Sequence, residues 1–334
     1  MKLGVEHMWG ASLEDFRAEV RLSGELGYDI IGIGDSPAAW HDLYVSMTIA
    51  AMETEKAMIT PFVTGPFLRH PLTVANGFSS LQDFSGGRMG LGLAVGGGNV
   101  IAIGRKPATQ IEMKAYWDAL DDLFDGKPIN WEGRPVAPLH YPHKTPVYYS
   151  AFGPKAMKLA GERADGAIIF TDGDLDDTAR KIHSIHQAAK DAGRNPKDVE
   201  IWVTAFCSIR DTREQAIDDI KAFLVTNALT FLYTPEKLAT VPPDILVQLR
   251  QLESRYDVSE HCVVNGKNVQ ALNELGPELT EYLTSIHTVA GTPEYVKSYI
   301  DGLEDIGVSA FITNLPGHAD RAGHIRALAE VVKG

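Results

Sequence analysis

Short apolar runs, rich in Val and Ile, alternate along this chain with longer stretches whose apolar positions recur every three or four residues. The short runs read as buried strands and the longer ones as helices with one face turned inward. The spacing predicts strands at Lys2 to Glu6, Ile30 to Gly34, from Met58 into a turn rich in proline, Met89 to Ala94, Pro146 to Ser150, Gly166 to Phe170, Glu200 to Phe206 and Ala310 to Thr313. Helices fall between them, at Leu13 to Gly27, Asp42 to Glu53, after Pro71, Ala108 to Phe124, Pro154 to Arg163, Asp176 to Ala192, Arg213 to Val225, Thr292 to Ile306 and His318 to Val332. Ser12 is placed to accept from the free amides of the first helix, and Gly27 to stop it.

About eight strands, each followed by a helix, are what a closed (β/α)8 TIM barrel needs, because parallel neighbours are joined by helical crossovers. A doubly wound open sheet is the alternative fold, but it calls for a Gly-x-Gly-x-x-Gly turn after its first strand, and none is there. Two segments interrupt the alternation. The first, about 126–141, is polar with a small hairpin around Trp131 to Arg134; the second, about 233–284, has scattered charges and helices of its own. The expectation is one α/β barrel domain over residues 1–334 with these two insertions.

Composition narrows the partners. A net charge of −13 with no cluster of Lys or Arg argues against nucleic acid, whose phosphates need a basic surface. No apolar run approaches membrane-spanning length, no signal peptide is evident, and Cys207 and Cys262 have neither metal-type spacing nor a disulfide framework. These features point to a reducing compartment, the cytoplasm being the simplest, and to no metal site.

In a barrel the groups just past each strand converge at one mouth. Here they include Glu6, His7, Asp35, Val63, Thr64, Gly96, Gly97 and Ser150. They are polar without a Ser-His-Asp order or a metal-binding set, so a cofactor is expected to supply the reactivity. Phe152-Gly153-Pro154-Lys155-Ala156 places a glycine before a helix with Pro in its first turn, where open amides and the helix dipole suit a phosphate. The same pattern also describes an ordinary helix start. Gly96-Gly97-Gly98 would let backbone approach a flat ring closely, or simply form a loose turn.

The runs Ile33 to Tyr44, Val63 to Pro71, Ser85-Gly-Gly-Arg88 with the strand after it, Gly104 to Ala108 and Gly153 to Gly166 together resemble the bacterial luciferase-like superfamily. The resemblance covers nearly the whole chain. It is strongest to the branch of methylenetetrahydromethanopterin reductase and other enzymes using the deazaflavin coenzyme F420, a branch that also holds FMN-dependent monooxygenases. It implies a flavin-type oxidoreductase using FMN or F420 on a small organic substrate, as a homodimer, with a separate flavin reductase in the FMN case. Carried over, it sets Asp35 near the flavin head, Phe62, Val63 and Thr64 against the ring with a cis peptide between Phe62 and Val63, and the phosphate by Gly153, Lys155 and Ala156. Deazaflavin relatives commonly carry an acid where this chain has Gly97, which leaves Glu6, His7 and Asp35 as the candidate catalytic groups. A flavin-binding barrel without catalysis is the third reading.

Overall fold

Why these runs become strands is visible in what they bury. β1 (Lys2–His7), β2 (Ile30–Ile33) and β3 (Met58–Pro61) are parallel and in register, Gly4 opposite Ile30 and Ile30 opposite Met58. The computed structural model describes residues 1–10, 12–232, 238–257, 260, 262–315 and 320–333. The strand order is β3-β2-β1-β11-β9-β8-β7-β4, where β4 is Leu91–Leu93, β7 Val147–Ser150, β8 Gly166–Phe170, β9 Glu200–Ile209 and β11 Ala310–Asn314. Parallel bridges from Ile59 to Met89 and from Thr64 to Leu93 bring the two ends together, so the eight strands form the expected ring.

That closure is tight. A side chain at Gly92 would put its Cβ 2.1 Å from the Pro61 carbonyl oxygen, so only glycine lets β4 approach β3.

By its internal contacts the chain forms two compact units. The first comprises Met1–Ile169, Thr178–Val203 and Gly307–Ile312. It holds β1 to β4, β7 and the first residues of β8, β9 and β11, with an inner cluster of Ile30, Tyr148, Ile168, Trp202, Ala310 and Ile312 in which Tyr148 is stacked on Trp202. Around the ring lie α1 (Leu13–Glu25), α2 (Leu43–Glu53), α3 (Pro71–Ser85), the short α4 (Gly98–Ile101), α5 (Gln110–Phe124) and α6 (Pro154–Arg163). The hairpin β5–β6 (Ile129–Trp131, Arg134–Val136) forms where the polar insertion was expected.

The second unit comprises Phe170–Asp177, Thr204–Ile306 and Thr313–Gly334. Within it the helices Arg213–Leu232, Pro243–Arg255, Lys267–Leu275 and Pro277–Thr284 share a core of Leu224, Leu249, Leu252, Leu272, Leu279 and Leu283. The last three are the helices expected of the second insertion, although its predicted start at Tyr233 lies outside the described residues. The helix from Arg213 runs past the predicted Val225, because Ala228 continues its buried stripe. β10 (Thr288–Gly291), not foreseen, pairs with Phe206 to Ile209 of β9. The last helix spans Arg321–Lys333; its predicted start at His318 also lies outside the described residues. No helix of the described residues is long and apolar enough to cross a membrane.

Candidate functional site

At the ends of β3, β4 and β7 the first unit opens into a cleft of about 580 Å³. Val63 comes to it from β3; Ala94, Val95, Gly96, Gly97 and Asn99 come from the turn after β4. Gln110 comes from the start of α5, and Ser150 and Phe152 through Ala156 from the step between β7 and α6. Eight of the expected cofactor-binding residues are therefore brought together: Val63, Gly96, Gly97, Ser150, Gly153, Pro154, Lys155 and Ala156. The Phe62–Val63 peptide is cis, as the family resemblance implied.

The start of α6 is open. Gly153 occupies the N-cap position and has no side chain to accept from the first amides, while Pro154 supplies the preset φ of the first turn. Nothing lies within 4 Å of where a Cβ on Gly153, Gly97 or Gly98 would sit. Among the described residues lining the cleft, none carries a carboxylate and Lys155 is the one charged group. In a chain of net charge −13 that is a local reversal of sign, and it makes the cleft hospitable to an anion.

Thr64, also expected at the ring, is buried; its amide donates to Gly92 and its carbonyl accepts from Ala94. Its hydroxyl has no hydrogen-bond partner among the described residues. Phe62 packs on the inner core of the ring.

Asp35 lies deeper in a knot of charges. Both of its oxygens accept from the Arg69 guanidinium, at 2.6 and 3.0 Å. Arg69 is flanked by Asp42 at 3.6 Å and by the Tyr44 ring. Burial pulls the Arg69 guanidinium down, but the hydrogen bonds and charge of Asp35 outweigh it and hold it above its ordinary value. Burial pushes the Tyr44 phenol up to about 12, with Asp35 and Asp42 adding to the effect against the opposing pull of Arg69. Asp35 thus anchors a loop, with both of its carboxylate oxygens engaged by Arg69. Its backbone carbonyl accepts from Asn99 Nδ2 at 3.1 Å, while Asn99 Oδ1 accepts from the amide of Gly97 at 3.0 Å, so one side chain ties the glycine turn to the end of β2.

His7 is turned elsewhere. Odd positions of β1 face the surrounding helices, and the buried His7 ring donates from Nε2 to Ser23 Oγ of α1 at 3.0 Å. Ser23 in turn donates to the Glu19 carbonyl, and Nδ1 faces the Glu19 carboxylate at 3.6 Å. Expected among the groups at the mouth, His7 is instead held against α1. Glu6, one residue earlier, points the other way; it is buried, with Oε1 3.6 Å from the Cβ position of Gly34.

From the sequence, neither Arg69 nor Gln110 is singled out as a site residue, whereas Phe152, part of the expected phosphate-holding stretch, does line the cleft. Arg69 did carry a signal, a lone charge between prolines in the turn after β3. Gln110 carried only that of a helix start, since Thr109-x-x-Glu112 forms a capping box.

Among known proteins, the 5,10-methylenetetrahydromethanopterin reductase of Methanolobus tindarius is 25% identical over 346 residues, covering 100% of both chains. The coenzyme F420-dependent tetrahydromethanopterin reductase of Methanopyrus kandleri shares the fold with a TM-score of 0.76 at 22% identity, covering 99% of this chain and 98% of that one. So does the FMN complex of the oxygenating component of 3,6-diketocamphane monooxygenase from Pseudomonas putida, at a TM-score of 0.69 and 14% identity over 99% and 97% of the two chains. The luciferase-like monooxygenase family model matches residues 1–310, and the chain belongs to that family.

Proposed function

We propose that the chain, an oxidoreductase by family, binds the deazaflavin coenzyme F420 in this cleft and exchanges hydride between it and a small organic substrate. The observation that carries the reading is the cleft itself, free of carboxylates, with Lys155 and an uncapped helix start at one end and open glycines along its side. A flat ring with an anionic tail matches those features: glycine backbone allows close approach, and the unsatisfied amides of Lys155 and Ala156 are donors for phosphate oxygens. The full-length similarity to a methylenetetrahydromethanopterin reductase supports the deazaflavin over FMN.

When bound, the ring supplies the redox chemistry, hydride transfer for F420 or oxygen activation for reduced FMN. The protein's share is to hold and to screen. Val63 would back the ring and Phe152 and Ala94 would shield it from water, while the Asn99 brace keeps the glycine turn in shape. Glu6, buried at the end of β1, is the acid we assign to holding a proton for the substrate, since Gly97 offers none. Asp35 acts through Arg69 and Asn99 as a positioning group.

Gly97 also favours a second reading, reduced FMN with a separate reductase and oxygen as co-substrate, because deazaflavin relatives commonly carry an acid at that position. Titration of the purified protein with F420, FMN and reduced FMN, with oxygen uptake recorded, separates the two. Micromolar F420 binding without oxygen uptake supports the first reading, and FMN binding with uptake the second. Binding of neither below the high micromolar range would overturn both.

A further inference from the structure

A polar side chain in the cleft has its orientation set from behind. Tyr149 of β7 is fully buried, its ring lies against Trp117 of α5 with centroids 5.5 Å apart, and its hydroxyl donates to Gln110 Oε1 at 3.5 Å. A buried phenol has to place its proton on an acceptor. With the amide reversed, that proton would face an NH2 group, so Oε1 is the end held by Tyr149. What remains for the cleft is Nε2, a pure donor. The main chain around Gln110 is fixed as well: Thr109 caps α5 in a capping box with Glu112, and the Ala108 amide donates to Val95, itself a wall of the cleft.

Gln110 lines the same cleft as Lys155 and Ala156. We infer that Gln110 is a specificity-determining residue whose Nε2 donates to the phosphate-bearing end of the cofactor, so that the cleft selects phosphorylated flavins over their phosphate-free forms. The inference rests on the flavin reading given above. It adds a donor, set by Tyr149, that an ordinary helix start would not provide.

The experiment measures dissociation constants by fluorescence for two pairs of probes, FMN against riboflavin and F420 against its phosphate-free chromophore. Wild-type protein is compared with Gln110→Leu, which removes the donor without a change of charge, and Gln110→Glu, which keeps an acceptor for Tyr149 while facing the cleft with a carboxylate. Because an acid in the first turn suits the helix dipole, Gln110→Glu keeps the fold. The phosphorylated member should weaken about tenfold in Gln110→Leu and about a hundredfold in Gln110→Glu, the range of a hydrogen bond to a charged group. The phosphate-free member should stay within about twofold, since it lacks the group being read. Equal weakening of both members, or no change in either, would overturn the inference while leaving the flavin reading intact. Failure of every probe to bind the wild-type protein would remove the flavin reading and this inference with it.

Discussion

Two polar regions at the strand ends of the first unit are built on opposite plans. Around Asp35 every charge meets a partner: the carboxylate is gripped by Arg69, Arg69 is flanked by Asp42 and Tyr44, and the Tyr116 hydroxyl donates to the Arg69 carbonyl. At the start of α6 the donors are left open, with a glycine where a cap could be and no acid among the described residues lining the cleft. Groups that satisfy one another stiffen the structure and ask nothing of a ligand. Groups held in place without partners give up stability until something binds.

The contrast predicts that substitutions in the two regions separate stability from binding. The largest effect is expected from Arg69→Met, which leaves the Asp35 carboxylate buried and unpaired; urea unfolding should show a loss of about 3–5 kcal/mol. Gly153→Asp should behave in the reverse sense. Gly153 already has extended backbone, with φ of −129°, and space for a side chain, so an aspartate there can cap α6 itself. The melting temperature should hold or rise, while affinity for a phosphorylated flavin falls about a hundredfold through like charge and occupied amides. A parallel loss of stability and binding in this variant would erase the distinction between the regions.

Lys155→Glu should weaken the same ligands about tenfold, less than Gly153→Asp because Lys155 is exposed and screened. Thr109→Ala is the smallest change and a control. It removes the cap of a helix that also reaches the cleft, so stability should fall by about 1 kcal/mol while flavin affinity changes little. A large loss of affinity there would mean that α5 serves the ligand through its amides as well as through Gln110.

The ring of strands could be read from the sequence because its members are short apolar runs between turn residues, most of them β-branched, a local signal that tertiary contacts reinforce. β10 could not. Thr288 to Gly291 follows closely on the helical stretch ending at Thr284 with no Gly or Pro to set it off, and its partner is the distant Phe206 to Ile209 of β9. The start of α6 was legible in the Gly-Pro pair, and Val63 to Pro71 in its prolines. His7 shows the limit of reasoning from strand ends: neighbours on a strand face opposite ways, and the last residue of β1 looks to α1 while Glu6 looks inward. Gln110 was hidden for another reason. Its role depends on Tyr149, which lies 39 residues away in sequence.

β9 begins in one compact unit and ends in the other, and each unit is assembled from three separate lengths of chain. Any fragment ending near Val203 therefore severs a ten-residue strand and leaves the first unit without its third length of chain, Gly307–Ile312.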